Sequence, residues 1–427
     1  MRKQSQLIAK PALWLLLSIM SACGMGYYVA KIWSANQPSS FSDLYAPWWG
    51  ARELFLHGRN PYDRAIAHEI QTVIYGAPVV SSYSGDDSDL TGGFAYPLYA
   101  AFLLWPAVYM PFSAFRQLFF CASLLALLGS LGLWLYGLRF RLPTTQLLAV
   151  AFFTLGSFPA MQAVKLQNLS LIAAAFVAAA VAAVTAQHLV VAGVLLAAST
   201  FKPQFTVVLI PWLAIWILGD WRRRQSLAWS FLASLSLLIG GSEWLAPGWV
   251  GRFLAVVRSY THYTFARSLL DLWFTRRAGP FISGGLLLVV LVLCWRYRHY
   301  KAGSAGFFFA TSLALAATLV VIPTLAPHAQ LLLLPGFLCL LRYRTTIWAS
   351  SKIVRLLGVS VWLLLAWSWI AAAGLTFAAV WLPLDRLLRW WEIPLYTSPL
   401  LPFAVLAILD CLMRNRSGAA NFESAPM

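Results

Sequence analysis

The chain has 427 residues, of which 60% are hydrophobic and only 11% are charged, and its formal net charge is +17. Charged residues make up about a quarter of a typical soluble domain, so this composition and a mean hydropathy of +0.72 exclude an ordinary soluble protein. The Lys and Arg residues lie beside apolar runs. This placement favours contact with anionic membrane lipids and indicates no nucleic-acid partner.

Apolar runs long enough to cross a bilayer recur along nearly the whole sequence. They predict an all-α, polytopic membrane protein with about twelve transmembrane helices. We expect one transmembrane domain over residues 1–413 and a cytoplasmic tail over residues 414–427. The predicted spans are residues 11–30, 94–112, 115–138, 143–161, 166–186, 189–218, 226–244, 279–296, 304–322, 329–342, 355–380 and 396–413.

The first apolar run permits two interpretations. Its basic start and the segment Met20–Gly24 resemble a signal peptide with a lipoprotein-type cleavage box at Cys23. However, the run continues to Ala30, which makes it long enough to span a bilayer. We therefore expect an uncleaved first span. The five cysteines are scattered singly, which indicates neither a disulfide framework nor a metal site.

Short basic links between the later spans set the predicted orientation. When the spans alternate, the links fall on the side of the N-terminus, so the positive-inside rule places both termini in the cytoplasm. The links are Trp221–Arg224, Arg296–Arg298, Arg342–Arg344 and Arg414–Arg416. Arg139 and Arg141 fall on the outer side and are the main exception. The same alternation places Gln167 and Asn168 on the cytoplasmic side and leaves them without a role.

Two long loops, residues 31–93 and 245–278, are predicted on the extracytoplasmic face. The first holds half of the 14 acidic residues of the chain. Aromatic and aliphatic side chains recur at helical spacing in both loops, which predicts helices that lie in the membrane interface. The turn at residues 322–328 and the loop at residues 381–395 emerge on the same face.

Asp43 is the first acidic residue of the 31–93 loop, close to where the chain leaves the first span. Sugar transfer from a lipid phosphate to a hydroxyl needs a base that takes the hydroxyl proton while the anomeric carbon becomes oxocarbenium-like. A phosphate leaves as an anion with little help from an acid, so one carboxylate can suffice. The structural alternative is that Ser42 and Asp43 cap the helix that follows. Asp63 is expected to fix the turn at Asn60–Tyr62.

Several segments, in this order along the chain, resemble glycosyltransferase family 87, whose members are polytopic enzymes of the GT-C type. They are Phe41–Asp63, which ends in Gly-x-x-Pro-Tyr-Asp, Phe94–Leu98 with a Phe-x-Tyr-Pro pattern, the pair Gln167–Asn168, and Ala192–Pro203, which ends in Lys-Pro. Leu98 stands where the family pattern has a second proline. The resemblance covers roughly residues 41–335 and implies a GT-C-like fold with a polyprenyl-phosphate sugar donor, typically of mannose.

The resemblance implies that Asp43 is the catalytic base and that Tyr45 belongs to the substrate-binding site. It also implies that His328, at the mouth of a span, binds the donor phosphate; the alternative is a polar anchor at the membrane interface. Lys202 lies inside an apolar segment, where an ammonium usually faces a cavity or an anion. It is either a second contact to the lipid phosphate or a snorkelling lysine at a bent helix.

The arginine-rich loop at residues 245–278 supplies two further substrate-binding candidates, Arg267 and Ser268. An arginine fork suits bidentate phosphate binding, although most loop arginines meet lipid headgroups. Ala266 and Arg267 replace an Asn-Gln pair of the family pattern.

We therefore expect a multi-pass glycosyltransferase of the bacterial inner membrane. It would transfer a sugar, mannose by resemblance, from a polyprenyl-phosphate donor to a hydroxyl of a lipid or glycan acceptor on the extracytoplasmic face, with inversion. The alternatives are a lipid or small-molecule transporter or flippase, which would need polar groups along a path through the bilayer, and a non-catalytic scaffold.

Cofactor and metal signals are weak in this sequence. No Gly-rich phosphate loop supports a nucleotide-sugar donor, and no cofactor is expected. The acidic group Asp86–Asp89 is interpreted as a solvated turn, with a bound cation as the alternative. We expect no metal site.

Overall fold

A computed structural model describes most of the chain between Ser42 and Arg414. The described residues are Leu16, Ile19, 42–77, 92–263, 268–322, 326–378, 380–383 and 397–414. The rest of the predicted first span, the Asp86–Asp89 group, Arg267 and most of the predicted 381–395 loop lie outside them. The described ranges are helical and contain no strand, which confirms the all-α prediction.

The α-helices of the described ranges are numbered here in chain order. The first nine are α1 (Tyr45–His57), α2 (Arg64–Tyr75), α3 (Ala100–Leu104), α4 (Phe112–Gly137), α5 (Thr144–Leu155), α6 (Phe158–Leu166), α7 (Ser170–Thr185), α8 (Leu189–Ser199) and α9 (Leu209–Leu218). The others are α10 (Trp221–Leu245), α11 (Trp249–Tyr263), α12 (Leu269–Trp273), α13 (Ala278–Arg296), α14 (Ala305–Val321), α15 (Leu334–Arg342), α16 (Arg344–Ala349), α17 (Lys352–Ala378) and α18 (Leu400–Arg414).

Several of these helices have the length and composition of membrane spans. Among the described residues, α4 and α13 are long and apolar enough to cross a membrane, and the pair α5 and α6, bent by 51°, is a third if it counts as one span. Shorter apolar helices of 10–17 residues are α7, α8, α9 and α14. These helices agree with a membrane protein, and the number of twelve spans stays a prediction.

The predicted span at residues 94–112 is wrong. This segment contains only α3, five residues long, and a 3₁₀ turn at Trp105–Ala107. Pro97, Pro106 and Pro111 interrupt the segment, because proline lacks the N–H that a helix interior needs. The segment packs against α1, where Trp48 Nε1 donates to the Ala107 carbonyl at 3.0 Å.

The predicted span at residues 189–218 is also wrong as one helix. It consists of α8 and α9, which are separated by residues 200–208 and a 3₁₀ turn at Pro203–Phe205. Pro203 again breaks the helical hydrogen bonding. The break places Lys202 at the junction of two helices rather than within one.

The two corrections offset each other and change which residues share an end of the helices. Removal of the 94–112 span places Gln167 and Asn168 at the end of the helices that holds Asp43. Division of the 189–218 span then returns the later basic links to the side on which they were predicted. Arg139 follows Gly137, which packs against Phe308 at the start of α14. Arg139 and Arg141, the predicted exception to the positive-inside pattern, therefore lie at the same end as the other basic links. Which end faces the cytoplasm stays a prediction.

The basic links lie at the end of the helices opposite Asp43, which is called the far end. Arg224 donates to the Arg298 carbonyl at 2.7 Å, and the Tyr297 hydroxyl donates to the Met413 carbonyl at 3.1 Å. Arg224 is buried, and its guanidinium lies 3.8 Å from the centre of the Trp216 ring. These contacts hold α9, α13 and α18 together opposite the Asp43 end.

Gly193 allows α8 and α10 to pack closely. A Cβ atom at this position would lie 2.0 Å from Ser230 Oγ and 2.7 Å from the Leu227 carbonyl oxygen, distances that real side chains do not occupy. The glycine in the Ala192–Pro203 segment therefore has a packing role.

The two predicted interfacial helices are present as α1 and α11. The side chains of α1 at Tyr45, Trp48 and Leu54 are buried within the protein, so α1 packs mainly on the chain itself. The position of both helices relative to a membrane stays a prediction.

Candidate active site

The backbone just before α1 joins Asp43 to the junction between α6 and α7. The Asp43 N–H donates to the Leu166 carbonyl at 2.8 Å, and Ser42 Oγ donates to Gln167 Oε1 at 2.8 Å. The N-cap of α1 is Leu44, with no side-chain cap bond. The helix-cap alternative for Asp43 is therefore wrong, and its carboxylate is available for another role.

The Asp43 carboxylate is held on one side and open on the other. Its Oδ2 accepts a hydrogen bond of 2.6 Å from Asn168 Nδ2. Much of the protein lies near the carboxyl group, yet Asp43 remains exposed to solvent. Desolvation raises the pKa of Asp43 above its ordinary value, although the hydrogen bond from Asn168 and the charge of Lys202 act in the opposite direction.

A sharp turn between two helices presents Asn168 to Asp43. Gln167 ends α6 in a left-handed conformation, φ 52°, and its N–H closes the last helical turn onto Ala163 and Val164. Two residues after Asn168 the chain begins α7 at Ser170. The side chains of Gln167 and Asn168, which the predicted topology left without a role, consequently point to Ser42 and Asp43.

Lys202 completes a buried polar cluster with Asn168 and Ser170. Its Nζ donates to Asn168 Oδ1 at 2.5 Å and to Ser170 Oγ, and only 5% of the residue is exposed. The ammonium also lies 5.3 Å from the centre of the Phe205 ring. The snorkelling alternative is therefore wrong, because the ammonium is inside the protein.

His328 lies close enough to Lys202 for the charge of the ammonium to affect the pKa of the imidazole. It belongs to a 3₁₀ segment, Pro327–Leu333, and is 9% exposed. Within the described part of the chain its Nδ1 is buried without a hydrogen-bond partner. Burial and then the charge of Lys202 lower the pKa of His328 well below its ordinary value, so the imidazole is neutral near pH 7. A buried polar atom without a partner is a candidate ligand contact.

Tyr96 is a further neighbour of Asp43 that the sequence did not single out as a site residue. Burial and then the charge of Asp43 raise the pKa of the Tyr96 hydroxyl. The Tyr62 hydroxyl donates to the Tyr96 carbonyl at 2.7 Å. The Phe41–Asp63 and Phe94–Leu98 segments are therefore joined in space. Asn60, rather than Asp63, fixes the turn, because its Oδ1 accepts from the Tyr62 N–H at 3.0 Å.

The other predicted substrate-binding residues are not part of the polar cluster of Asn168, Ser170 and Lys202. Tyr45 is buried in an aromatic cluster, 5.0 Å between ring centres from Phe112 and 6.1 Å from Trp49. Ser268 is the N-cap of α12 and forms a capping box with Asp271. Neither has a described contact with Asn168 or Lys202. Arg267 is outside the described residues.

Metal-ligating side chains do not cluster in the part of the chain that the structure describes. No group of three or more His, Cys, Asp or Glu residues there is arranged to hold a metal ion.

Comparison with known families identifies the chain. A family model, Glycosyltransferase family 87, matches residues 94–323, which is more than half of the 427 residues. The matched range includes Asn168 and Lys202, whereas Asp43 and His328 lie on either side of it. No curated protein and no solved structure matches the chain. Membership of the family implies glycosyltransferase activity, with a sugar donor and an acceptor. The chain belongs to glycosyltransferase family 87.

Proposed function

We propose that the protein is a membrane glycosyltransferase that transfers mannose from a polyprenyl-phosphate donor to a hydroxyl of a lipid or glycan acceptor. The observation that carries the proposal is the convergence of Asp43, Lys202 and His328 at one end of the helices of a family 87 protein. An open carboxylate beside two nitrogen-bearing side chains suits a reaction that removes a proton and releases a phosphate.

Asp43 acts as the general base in this proposal. The acceptor O–H gives its proton to the carboxylate while the acceptor oxygen bonds to the anomeric carbon. The bond between that carbon and the phosphate oxygen breaks, and its electron pair leaves with the phosphate. Attack opposite the leaving phosphate inverts the anomeric centre. Asp43 then returns the proton to solvent. Desolvation supports this role, because it makes the carboxylate a stronger base.

His328 and Lys202 are proposed to stabilise the donor phosphate. A neutral imidazole has one N–H to donate to a phosphate oxygen, and the Nδ1 of His328 has no described protein partner. Lys202 uses two N–H groups on Asn168 and Ser170, which leaves a further N–H for the phosphate. Burial lowers the pKa of Lys202 to about 7, and an anionic phosphate beside it would favour the charged ammonium.

The apolar helices are proposed to hold the polyprenyl chain of the donor. Burial of hydrocarbon contributes about 0.8 kcal/mol per methylene, so the tail can supply most of the affinity. The polar cluster then needs only to orient the headgroup. We place the reaction on the extracytoplasmic face of a bacterial inner membrane, because the basic links lie at the end opposite Asp43 and positive residues favour the cytoplasmic side.

The function is tested with purified full-length protein in vesicles that contain a panel of radiolabelled polyprenyl-phosphate sugars and a membrane extract as acceptor. We expect label from the mannose donor to enter an acceptor product. Movement of the donor across the bilayer without transfer would overturn the proposal and identify a flippase. Transfer of another sugar alone would overturn the assignment of mannose. The absence of both movement and transfer would contradict the assignment as an enzyme.

A further inference from the structure

We propose that Asn168 is a positioning residue that holds Oδ2 of Asp43 and thereby assigns Oδ1 as the oxygen that takes the acceptor proton. This inference rests on the proposed function of Asp43 as the base. It gives a role to a residue that touches the base rather than the substrate.

The backbone around Asn168 determines which way its amide points. The Ser170 N–H, which can only donate, lies 2.9 Å from Asn168 Oδ1. Lys202 Nζ donates to the same oxygen at 2.5 Å. The side-chain oxygen therefore faces Ser170 and Lys202, and the NH₂ group faces Asp43. The 2.6 Å contact to Asp43 is consequently a hydrogen bond from nitrogen to carboxylate.

Asn168 itself is held firmly. Its Oδ1 accepts from the Ser170 N–H, from Ser170 Oγ at 2.6 Å and from Lys202 Nζ. Only 5% of Asn168 is exposed, and Ser170 is fully buried. A side chain fixed by three donors in a buried site can hold a neighbouring carboxylate in one orientation, which is the kind of support that precise proton transfer requires.

The consequence for Asp43 is an asymmetry between its two oxygens. Oδ2 is occupied by Asn168, whereas Oδ1 receives no hydrogen bond from the described part of the chain. Because Asp43 is solvent-accessible, Oδ1 is the oxygen left for the acceptor hydroxyl. The charged and titratable groups around it are Lys202 behind Asn168, Tyr96 and, next to Lys202, His328.

Two variants test the proposal. Asn168→Asp keeps the size of the side chain and an oxygen for Lys202 and Ser170, but replaces the amide donor to Asp43 by a second carboxyl group. Asn168→Ala removes both the oxygen and the amide donor. The matched control is Gln187→Glu, which replaces an exposed amide by a carboxylate just beyond the far end of α7. Transfer is measured with polyprenyl-phosphate mannose in membranes that supply the acceptor. The ionisation of Asp43 is followed in the purified full chain by infrared difference spectroscopy, with Asp43→Asn to identify its band.

For Asn168→Asp we expect kcat to fall about a hundredfold with little change in KM for the donor, because the base loses its fixed amide donor and faces a second carboxyl group. For Asn168→Ala we expect the titration midpoint of Asp43 to shift upward, because a hydrogen bond to the ionised form is lost. Gln187→Glu should change neither. A merely structural role for Asn168 would not move the titration of Asp43.

Wild-type kcat in Asn168→Asp would overturn the proposal, as would an unchanged midpoint in Asn168→Ala. Should Asn168→Ala fail to fold, the kinetics of Asn168→Asp decide. The assignment of Asp43 fails separately: normal transfer by Asp43→Asn contradicts the base itself, whereas an inactive Asp43→Asn together with a normal Asn168→Asp contradicts only the positioning role.

Discussion

Asn168 donates a hydrogen bond of 2.6 Å to Asp43, a residue 125 positions earlier in the chain. The bond links the segment before α1 to the junction of α6 and α7. On the other side of Asn168, Lys202 extends the connection to the break between α8 and α9. Three irregular backbone segments thus meet in one polar cluster, at helix ends within an otherwise apolar protein.

The pH dependence of transfer reports the environment of Asp43. Desolvation raises its pKa above the ordinary value of 3.8. The base acts only when ionised, so activity should be present above the folded-state pKa and be lost as the pH falls through it. We expect the acid limb of kcat/KM to have its midpoint above 3.8. A midpoint at or below that value would contradict the desolvated site.

Removal of the Lys202 ammonium should reduce transfer strongly. In Lys202→Met, Asn168 loses its charged donor and the phosphate loses a nearby positive charge, so we expect kcat/KM to fall about a hundredfold. The matched control is Lys301→Met, an exposed lysine at the far end of the helices, which should retain full activity. Equal activities of the two variants would show that Lys202 has no role in the reaction.

Substitution of His328 should weaken binding of the sugar donor more than binding of the acceptor. His328→Ala removes the proposed donor to the phosphate, and loss of a hydrogen bond to a charged group costs about 1.5–3 kcal/mol. We expect KM for the polyprenyl-phosphate donor to rise at least about tenfold, measured at saturating acceptor. His188→Ala is the control, because His188 is exposed at the far end of α7. An unchanged donor KM in His328→Ala would argue for a polar anchor instead.

Gly193 should tolerate no side chain. Gly193→Ala places a Cβ 2.0 Å from Ser230 Oγ and 2.7 Å from the Leu227 backbone, so α8 and α10 must separate. Overpacking of this kind costs about 1–3 kcal/mol, and we expect a lower thermal unfolding temperature in detergent. The control Gly132→Ala lies in α4 with nothing near its Cβ, and should be neutral or stabilising. Similar stability of both variants would contradict the close packing.

The sequence was sufficient to predict the helical fold and the family. Composition and long apolar runs predicted an all-α protein, and the segments around Asp43 and Lys202 indicated family 87, which the family match confirms. The role of Asp43 and of Lys202 stays a proposal. Their neighbourhood was not predicted, because a count of apolar runs takes each run as one span even where proline divides it.

The two wrong spans explain why Asn168 was missed. The extra span at residues 94–112 reversed the predicted side of every later residue as far as Lys202. There the predicted side became correct again, because residues 189–218 were counted as one span although Pro203 divides them. Asn168 fell within the reversed stretch and was placed away from Asp43. A signal was nevertheless present, because a Gln-Asn pair in an apolar run is expensive unless both amides are paired. The prolines at 97, 106 and 111 were the other signal.

Transfer by Asp43→Asn tests the central claim most directly. The variant keeps the size of the side chain but cannot accept the acceptor proton, and Asp63→Asn, an exposed acid in the same loop, is the matched control. Purified, folded proteins are compared in vesicles with radiolabelled polyprenyl-phosphate mannose and acceptor. We predict that Asp63→Asn transfers normally and that Asp43→Asn loses transfer by about a hundredfold or more. Near-normal transfer by Asp43→Asn would contradict the account.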